Sequence, residues 1–101
     1  MARVHIELGS TVKRGGPTED LPLLRSAPRV AATLNSAANS TTAELQAQAG
    51  EVWTVSATGG AVFVAFGADA DAGVPERRIV LDGQARDFAA TAGEKIAVKD
   101  A

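Results

Sequence analysis

The chain contains no cysteine and no tyrosine, and it has a single histidine and a single tryptophan. Without cysteine there is no disulfide framework and no thiolate nucleophile. One histidine cannot supply the several imidazoles of a cupin-type metal centre, and a tyrosine acid is excluded. We therefore expect a protein that is not an enzyme and that carries no cofactor and no metal ion.

A strong charge of one sign is also lacking, since ten Lys and Arg stand against twelve Asp and Glu, for a net charge of -2. A nucleic-acid-binding face is usually strongly basic, so we expect no nucleic-acid partner. No apolar run approaches the ~18 residues of a membrane span, and residues 1–8 lack the apolar core of a secretory signal. We therefore expect that the protein has no membrane partner and that it is synthesised in the cytoplasm.

The charges are unevenly distributed along the chain. Residues 1–30 carry five basic and three acidic residues, whereas residues 31–76 carry five acidic residues and no basic one. This polarity suits head-to-tail contacts between copies, and it is equally compatible with ordinary solvated charges.

Period-two alternation dominates the chain and predicts short strands. Trp53 and Val55, for example, alternate with Thr54 and Ser56, as in a half-buried strand. At 101 residues the chain has room for one domain, 1–101. Turn signals between the strands predict an all-β fold, a small antiparallel β-sandwich with a jelly-roll arrangement as one option. The predicted strands cover 2–8, 29–35, 43–48, 52–57, 61–67, 77–81, 85–90 and 95–99.

Three of these strand predictions are specific enough to be tested individually. The apolar run 61–67 predicts a central strand covered on both faces. The strand over 77–81 is predicted to point Ile79 and Leu81 inward. For residues 37–49, which are rich in alanine and glutamine, a helix remains an alternative.

Residues 9–29 show no sustained period and contain Gly15, Gly16 and three prolines. They predict a long irregular N-terminal arm or loop. Ordering such a segment costs roughly 20–40 kcal/mol of backbone entropy, which packing on the domain's own core or docking on a neighbour must offset. For the second case, the predicted partner-binding residues are the arm's leucines and flanking arginines: Arg14, Leu21, Leu23, Leu24 and Arg25.

A weak internal repeat relates residues 45–55 to residues 88–98, with Ala-Gly-Glu in both copies. The interpretation is two equivalent hairpins, one in each sheet. Gly50 and Gly93 are predicted to occupy left-handed turn positions, where a Cβ would clash.

Few residues suggest chemistry of their own. His5 lies on the polar face of its strand and is interpreted as a surface histidine. Asp69 and Asp71 resemble half of a calcium loop, but Val80 stands where the closing glutamate is required, so an acidic turn is predicted. Trp53 is in phase with Val55 and is predicted to be a core residue rather than a sugar-stacking one.

The sequence from 49 to 67, the Arg-Arg-Ile-Val-Leu segment 77–81 and the segment 88–98 resemble small proteins of the structural gene clusters of tailed bacteriophages. The resemblance covers residues 45–99. It consists of strand-turn-strand patterns and includes no catalytic motif.

This resemblance implies a β-sandwich located in the virion, a head decoration or cement protein. It would bind the major capsid protein or other virion proteins, as a homo-oligomer or in a symmetric array, and stabilise the capsid. A neck or tail adaptor or ring component is an alternative. A carbohydrate-binding or adhesion module is a further alternative of another class, and it requires an exposed Trp53.

Overall fold

The computed structural model describes the backbone of residues 2–15, 20–24 and 27–101, and the side chains of residues 2–10 and 27–101. These residues form strands and turns, and none of them belongs to a helix that could cross a membrane. The strands are β1 (Arg3–Gly15), β2 (Asp20–Leu24), β3 (Val30–Asn35), β4 (Thr41–Thr42), β5 (Glu51–Thr58), β6 (Val62–Gly67), β7 (Arg78–Val80), β8 (Ala85–Ala89) and β9 (Lys95–Asp100).

Two antiparallel sheets pack face to face, which confirms the predicted all-β sandwich. In the first sheet β1 lies between β3 and β5, β8 pairs with the far side of β5, and β2 pairs with the distal part of β1. The second sheet has the order β4-β9-β6-β7. Every strand pairing among the described residues is antiparallel.

The core between the sheets is built from inward-facing residues at alternate strand positions. On β5 the buried residues are Glu51, Trp53, Val55 and Ala57, in the predicted phase. Trp53 is completely buried, which confirms it as a core residue and removes the exposed indole that a sugar-binding module requires. Other fully buried members are Val4, Ile6, Leu8, Val62, Val64, Val80, Ile96 and Val98.

The apolar strand β6 is central in its sheet and is covered on both faces, as predicted. Val62 and Val64 face the core between the sheets. On the other face Ala65 packs with Ala97 of β9 and with Ala72 of the β6–β7 connection. Arg77 closes this side, with its guanidinium 3.7 Å from the centre of the Phe63 ring.

The predicted phase of the strand over 77–81 is wrong by one residue. Val80 is buried opposite Val62, whereas Ile79 and Leu81 are 39% and 52% exposed. In a strand as short as β7 the apolar residues on both faces leave the alternation ambiguous, and pairing with β6 selects Val80. The prediction for 43–48 also fails, because regular pairing ends after β4 and residues 43–48 form neither a strand nor a helix.

The two repeat copies are not hairpins within separate sheets. In the first copy, residues 43–47 lie along β9 of the second sheet and lead into β5 of the first; in the second copy, β8 of the first sheet leads into β9 of the second. The two copies lie side by side and are joined by backbone hydrogen bonds. The Ala47 N–H donates to the Glu94 carbonyl, and the Ala90 N–H donates to the Glu51 carbonyl, at 2.8 and 3.0 Å. The two bonds join equivalent positions of the two repeat copies. The two crossings between the sheets are therefore a pseudo-symmetric pair of corners.

The predicted left-handed glycines are confirmed at both corners. Gly50 has a φ of 79° and Gly93 a φ of 83°. In that region a Cβ is strained, so the glycine at each corner allows the chain to turn from one sheet to the other.

Candidate functional site

The first sheet continues at one end into a two-stranded hairpin. Residues 3–8 of β1 pair with β3 on one side and with β5 on the other. From Thr11 to Gly15, β1 pairs with β2 alone in the described part of the chain. At about 3.4 Å per residue, these residues carry the hairpin well beyond the last β5 pairing, in a molecule whose dimensions are 48 × 27 × 24 Å.

The prediction that residues 9–29 form an irregular arm is therefore wrong for most of that segment. Thr11 and Val12 have the β-branched side chains that favour strands. Pro22 is tolerated in β2 because an edge strand can lack one ladder donor. The Gly and Pro residues suggested an unstructured stretch, but both strands of the hairpin have regular pairing.

The hairpin brings most of the predicted partner-binding residues into one paired segment. Arg14 lies opposite Leu21, Leu23 opposite Val12, and Leu24 opposite Thr11. Arg25 lies outside the described residues. The structure thus assembles four of the five predicted positions by backbone register.

The base of the hairpin is closely packed. A Cβ added to Gly9 would lie 3.2 Å from Pro28 Cα and 3.4 Å from the Arg29 nitrogen. The Arg29 N–H donates to the Leu8 carbonyl at 2.9 Å, just outside the β1–β3 ladder. Glycine is therefore favoured at position 9, because Pro28 and Arg29 pass directly over it.

Arg29 and Glu51 fix this base to the sandwich, and sequence reasoning missed both. Arg29 Nε and Nη2 donate to the two Glu51 carboxylate oxygens at 2.7 and 2.9 Å, and Nη2 also donates to the Gln46 carbonyl at 2.7 Å. The Gln48 N–H donates to Glu51 Oε1 at 2.7 Å. One guanidinium thus links the start of β3 to the start of β5 and to residues 43–48.

This pairing stabilises the charged forms of both groups. Hydrogen bonding by Arg29 lowers the pKa of Glu51, although burial of the carboxyl acts in the opposite direction. The bond to Glu51 raises the pKa of Arg29. A signal for this pair existed in the sequence, because Glu51 shares the buried phase of Trp53 and Val55, and a buried carboxylate requires a partner.

The second repeat corner contains an equivalent glutamate with a different partner. Glu94 Oε1 accepts a 2.7 Å hydrogen bond from Trp53 Nε1 and a 3.4 Å bond from the Thr91 N–H, as Glu51 accepts from Gln48. The Trp53 ring lies 5.8 Å from Phe66, which lies 5.0 Å from Phe88. Glu94 therefore satisfies the only polar atom of a buried indole.

The other residues considered from the sequence lie outside the paired strands of the hairpin and have local partners. His5 is on the polar face of β1, with Nδ1 2.7 Å from Thr33 Oγ1 and Nε2 3.6 Å from Glu7 Oε1. Asp71 accepts the Gly73 N–H at 2.8 Å within its own turn, as expected of an acidic turn. No group of three or more metal-ligating side chains occurs among the described residues.

No protein-family model, curated protein or solved structure gives a match to this chain.

Proposed function

We propose that this chain is a non-enzymatic structural protein of a bacteriophage virion, which binds the capsid and stabilises it in the manner of a decoration or cement protein. The observation that carries the proposal is the hairpin of β1 and β2, which extends from a small sandwich and contains the leucines predicted to bind a partner. The resemblance of residues 45–99 to phage structural proteins is the reason for assigning the chain to a virion.

The hairpin can bind a neighbouring protein through both its backbone and its side chains. Beyond Ser10, each of its strands has one edge without a partner among the described residues. Such an edge can accept a strand of another protein. Residues 20–24 contain three leucines among five residues. Burial of these leucines against a neighbouring protein would stabilise the complex through the hydrophobic effect.

Attachment at the hairpin base suits a stabilising role. The two hydrogen bonds between Arg29 and Glu51, together with the tight contact at Gly9, join the base to the first sheet. A hairpin held in this way loses less freedom on docking than a loose arm would. Repetition over a symmetric lattice would multiply weak contacts into firm attachment that resists the pressure of packaged DNA.

The first test is to replace Leu23 by aspartate and to measure binding to particles that lack the protein. Burial of one leucine contributes about 1.5–3 kcal/mol, so we expect binding to fall about tenfold or more per site. The fold should persist, because β2 pairs only with the part of β1 that lies beyond the β5 pairing; circular dichroism and thermal unfolding check this.

Leu81→Asp is the matched control, because Leu81 is also a leucine and is 52% exposed in the turn between β7 and β8. It should bind like the wild type. Unchanged binding by Leu23→Asp, or equal loss in both variants, would contradict the role of the hairpin. If the hairpin binds, copy number separates a capsid-covering protein from a neck or tail component, which would be present in far fewer copies.

A further inference from the structure

The edges of the two sheets differ in how well they are protected against pairing. In the second sheet the edge strands are short: β4 has two residues and β7 has three. In the first sheet β8 carries Arg86 and Asp87. Outside the hairpin, whose strand β2 contains Pro22, the remaining edge strand is β3, which has six residues of sequence VAATLN with no charge and no proline. Charges, proline and short length are the usual means of blocking edge-to-edge association, and β3 has none of them.

The outward hydrogen-bonding groups of β3 can be assigned from the ladder. The Ser36 N–H donates to the Ala2 carbonyl at 2.8 Å. Because hydrogen-bonded positions alternate in an antiparallel pair, Leu34 and Ala32 also bond to β1. The N–H and C=O groups of Ala31 and Thr33 therefore point away from β1, and no strand among the described residues pairs with them.

This edge is complementary to a second copy of itself. An antiparallel pairing with Ala32 on a two-fold axis sets Val30 opposite Leu34 of the other copy, and Ala31 opposite Thr33. Val30, Ala32 and Leu34 are the half-buried, core-facing positions of β3, so apolar side chains meet apolar side chains on one face. Shifting the axis to Thr33 would instead set Val30 against Ser36.

The charged residue that directly precedes β3 is already paired. Arg29, which precedes β3, is held by both carboxylate oxygens of Glu51. Two-fold pairing brings it opposite Asn35, which is uncharged. No two like charges therefore lie directly opposite each other in this pairing.

We propose that two copies of this chain associate through β3, in antiparallel register about Ala32, to form one continuous sheet across the dimer. The outward N–H and C=O groups of Ala31 in each copy form hydrogen bonds with the C=O and N–H groups of Thr33 in the other copy. The antiparallel arrangement directs the two hairpins in opposite directions. The inference rests on β3 alone and stands or falls independently of the virion role.

The test is the mass of the protein in solution, measured by sedimentation velocity across a dilution series. The wild type is expected to form a dimer of twice the 10.3 kDa chain mass. Ala31→Pro removes an outward N–H that the β1–β3 ladder does not use, and proline is tolerated on an edge in that position. We expect it to weaken the dimer at least about tenfold.

Ala89→Pro is the matched control on the charged edge. The Ala90 N–H donates to the Glu51 carbonyl, so the N–H of the preceding residue, Ala89, points outward from β8 in the same way. Ala89→Pro should remain dimeric. A monomeric wild type, or equal dissociation of both proline variants, would overturn the proposal. If Ala31→Pro fails to fold, Ala31→Lys provides the same comparison through edge charge.

A single thiol tests the register, since the chain has no cysteine of its own. Ala32→Cys would place two thiols across a non-hydrogen-bonded pair, at a Cα separation of about 4.5 Å, which is within disulfide range. It should form a covalent dimer on mild oxidation. Thr33→Cys lies on a diagonal, at about 7–8 Å, and should remain largely uncrosslinked. Preferential crosslinking of Thr33→Cys would overturn the register about Ala32.

Discussion

Replacement of Trp53 by phenylalanine should destabilise the domain strongly, because it removes both packing and a hydrogen bond. Trp53 is completely buried and lies 5.8 Å from the Phe66 ring. Loss of the larger ring should cost about 1–2 kcal/mol. Loss of the Nε1 bond to Glu94 should cost about 1 kcal/mol more, since the part-exposed carboxylate can regain water. The sum is about 2–3 kcal/mol, against the ~5–15 kcal/mol stability of a typical domain.

The assay is urea unfolding followed by far-ultraviolet circular dichroism, which does not depend on the indole. A fall of about 2–3 kcal/mol in the free energy of unfolding corresponds to a decrease in Tm of roughly 10–20 °C. Glu94→Ala in the wild-type and Trp53→Phe backgrounds measures the coupling, expected near 1 kcal/mol. A total loss below about 0.5 kcal/mol, or no coupling, would refute the assignment of Trp53 and Glu94 as a hydrogen-bonded pair.

Two further predictions concern pH and strand phase. The folded state lowers the pKa of Glu51 from its ordinary value of 4.5. The ionised carboxylate therefore adds to the free energy of unfolding above that pH, and this contribution is lost as the pH falls through the lowered pKa. Stability should therefore decrease on acidification below about pH 4.5, and Glu51→Gln should flatten that part of the profile in urea titrations; an unchanged slope would contradict the Arg29 pairing. For β7, Val80→Asp should prevent folding whereas Ile79→Asp should be tolerated, and circular dichroism distinguishes the two outcomes. If Ile79→Asp prevented folding and Val80→Asp did not, Ile79 would be the buried residue, as the sequence had predicted.

The success of sequence reasoning depended on how clearly each strand alternates. In β5 each buried residue is followed by a more exposed one over the full strand, and both its position and its phase were predictable. Strand β7 has only three residues, with apolar residues on both faces, so its sequence shows no clear alternation. The pairing with β6 decides which residue is buried.

The hairpin and its anchor were harder to predict because they depend on contacts distant in sequence. The regular pairing of β2 with β1 forms despite Pro22 and the neighbouring glycines. The leucines of the arm were found from composition alone. Arg29 and Glu51 are separated by the length of β3, β4 and their connections, and only folding brings them together.

The repeat illustrates the same limit. The Ala-Gly-Glu segments correctly indicated two equivalent turns with left-handed glycines at Gly50 and Gly93. A local pattern could not show that the segments on either side of each turn lie along different sheets. That arrangement follows from the reciprocal bonds between Ala47 and Glu94 and between Ala90 and Glu51.

The most direct test of the proposed function is quantitative mass spectrometry of DNA-filled particles, purified on a density gradient from the lysate of cells that produce the chain. The proposal predicts that the protein bands with the particles, in an amount comparable to that of the major capsid protein. An amount that is a small fraction of the capsid protein would place it in the neck or tail instead. Recovery of the protein only from the soluble fraction would contradict a role in the virion.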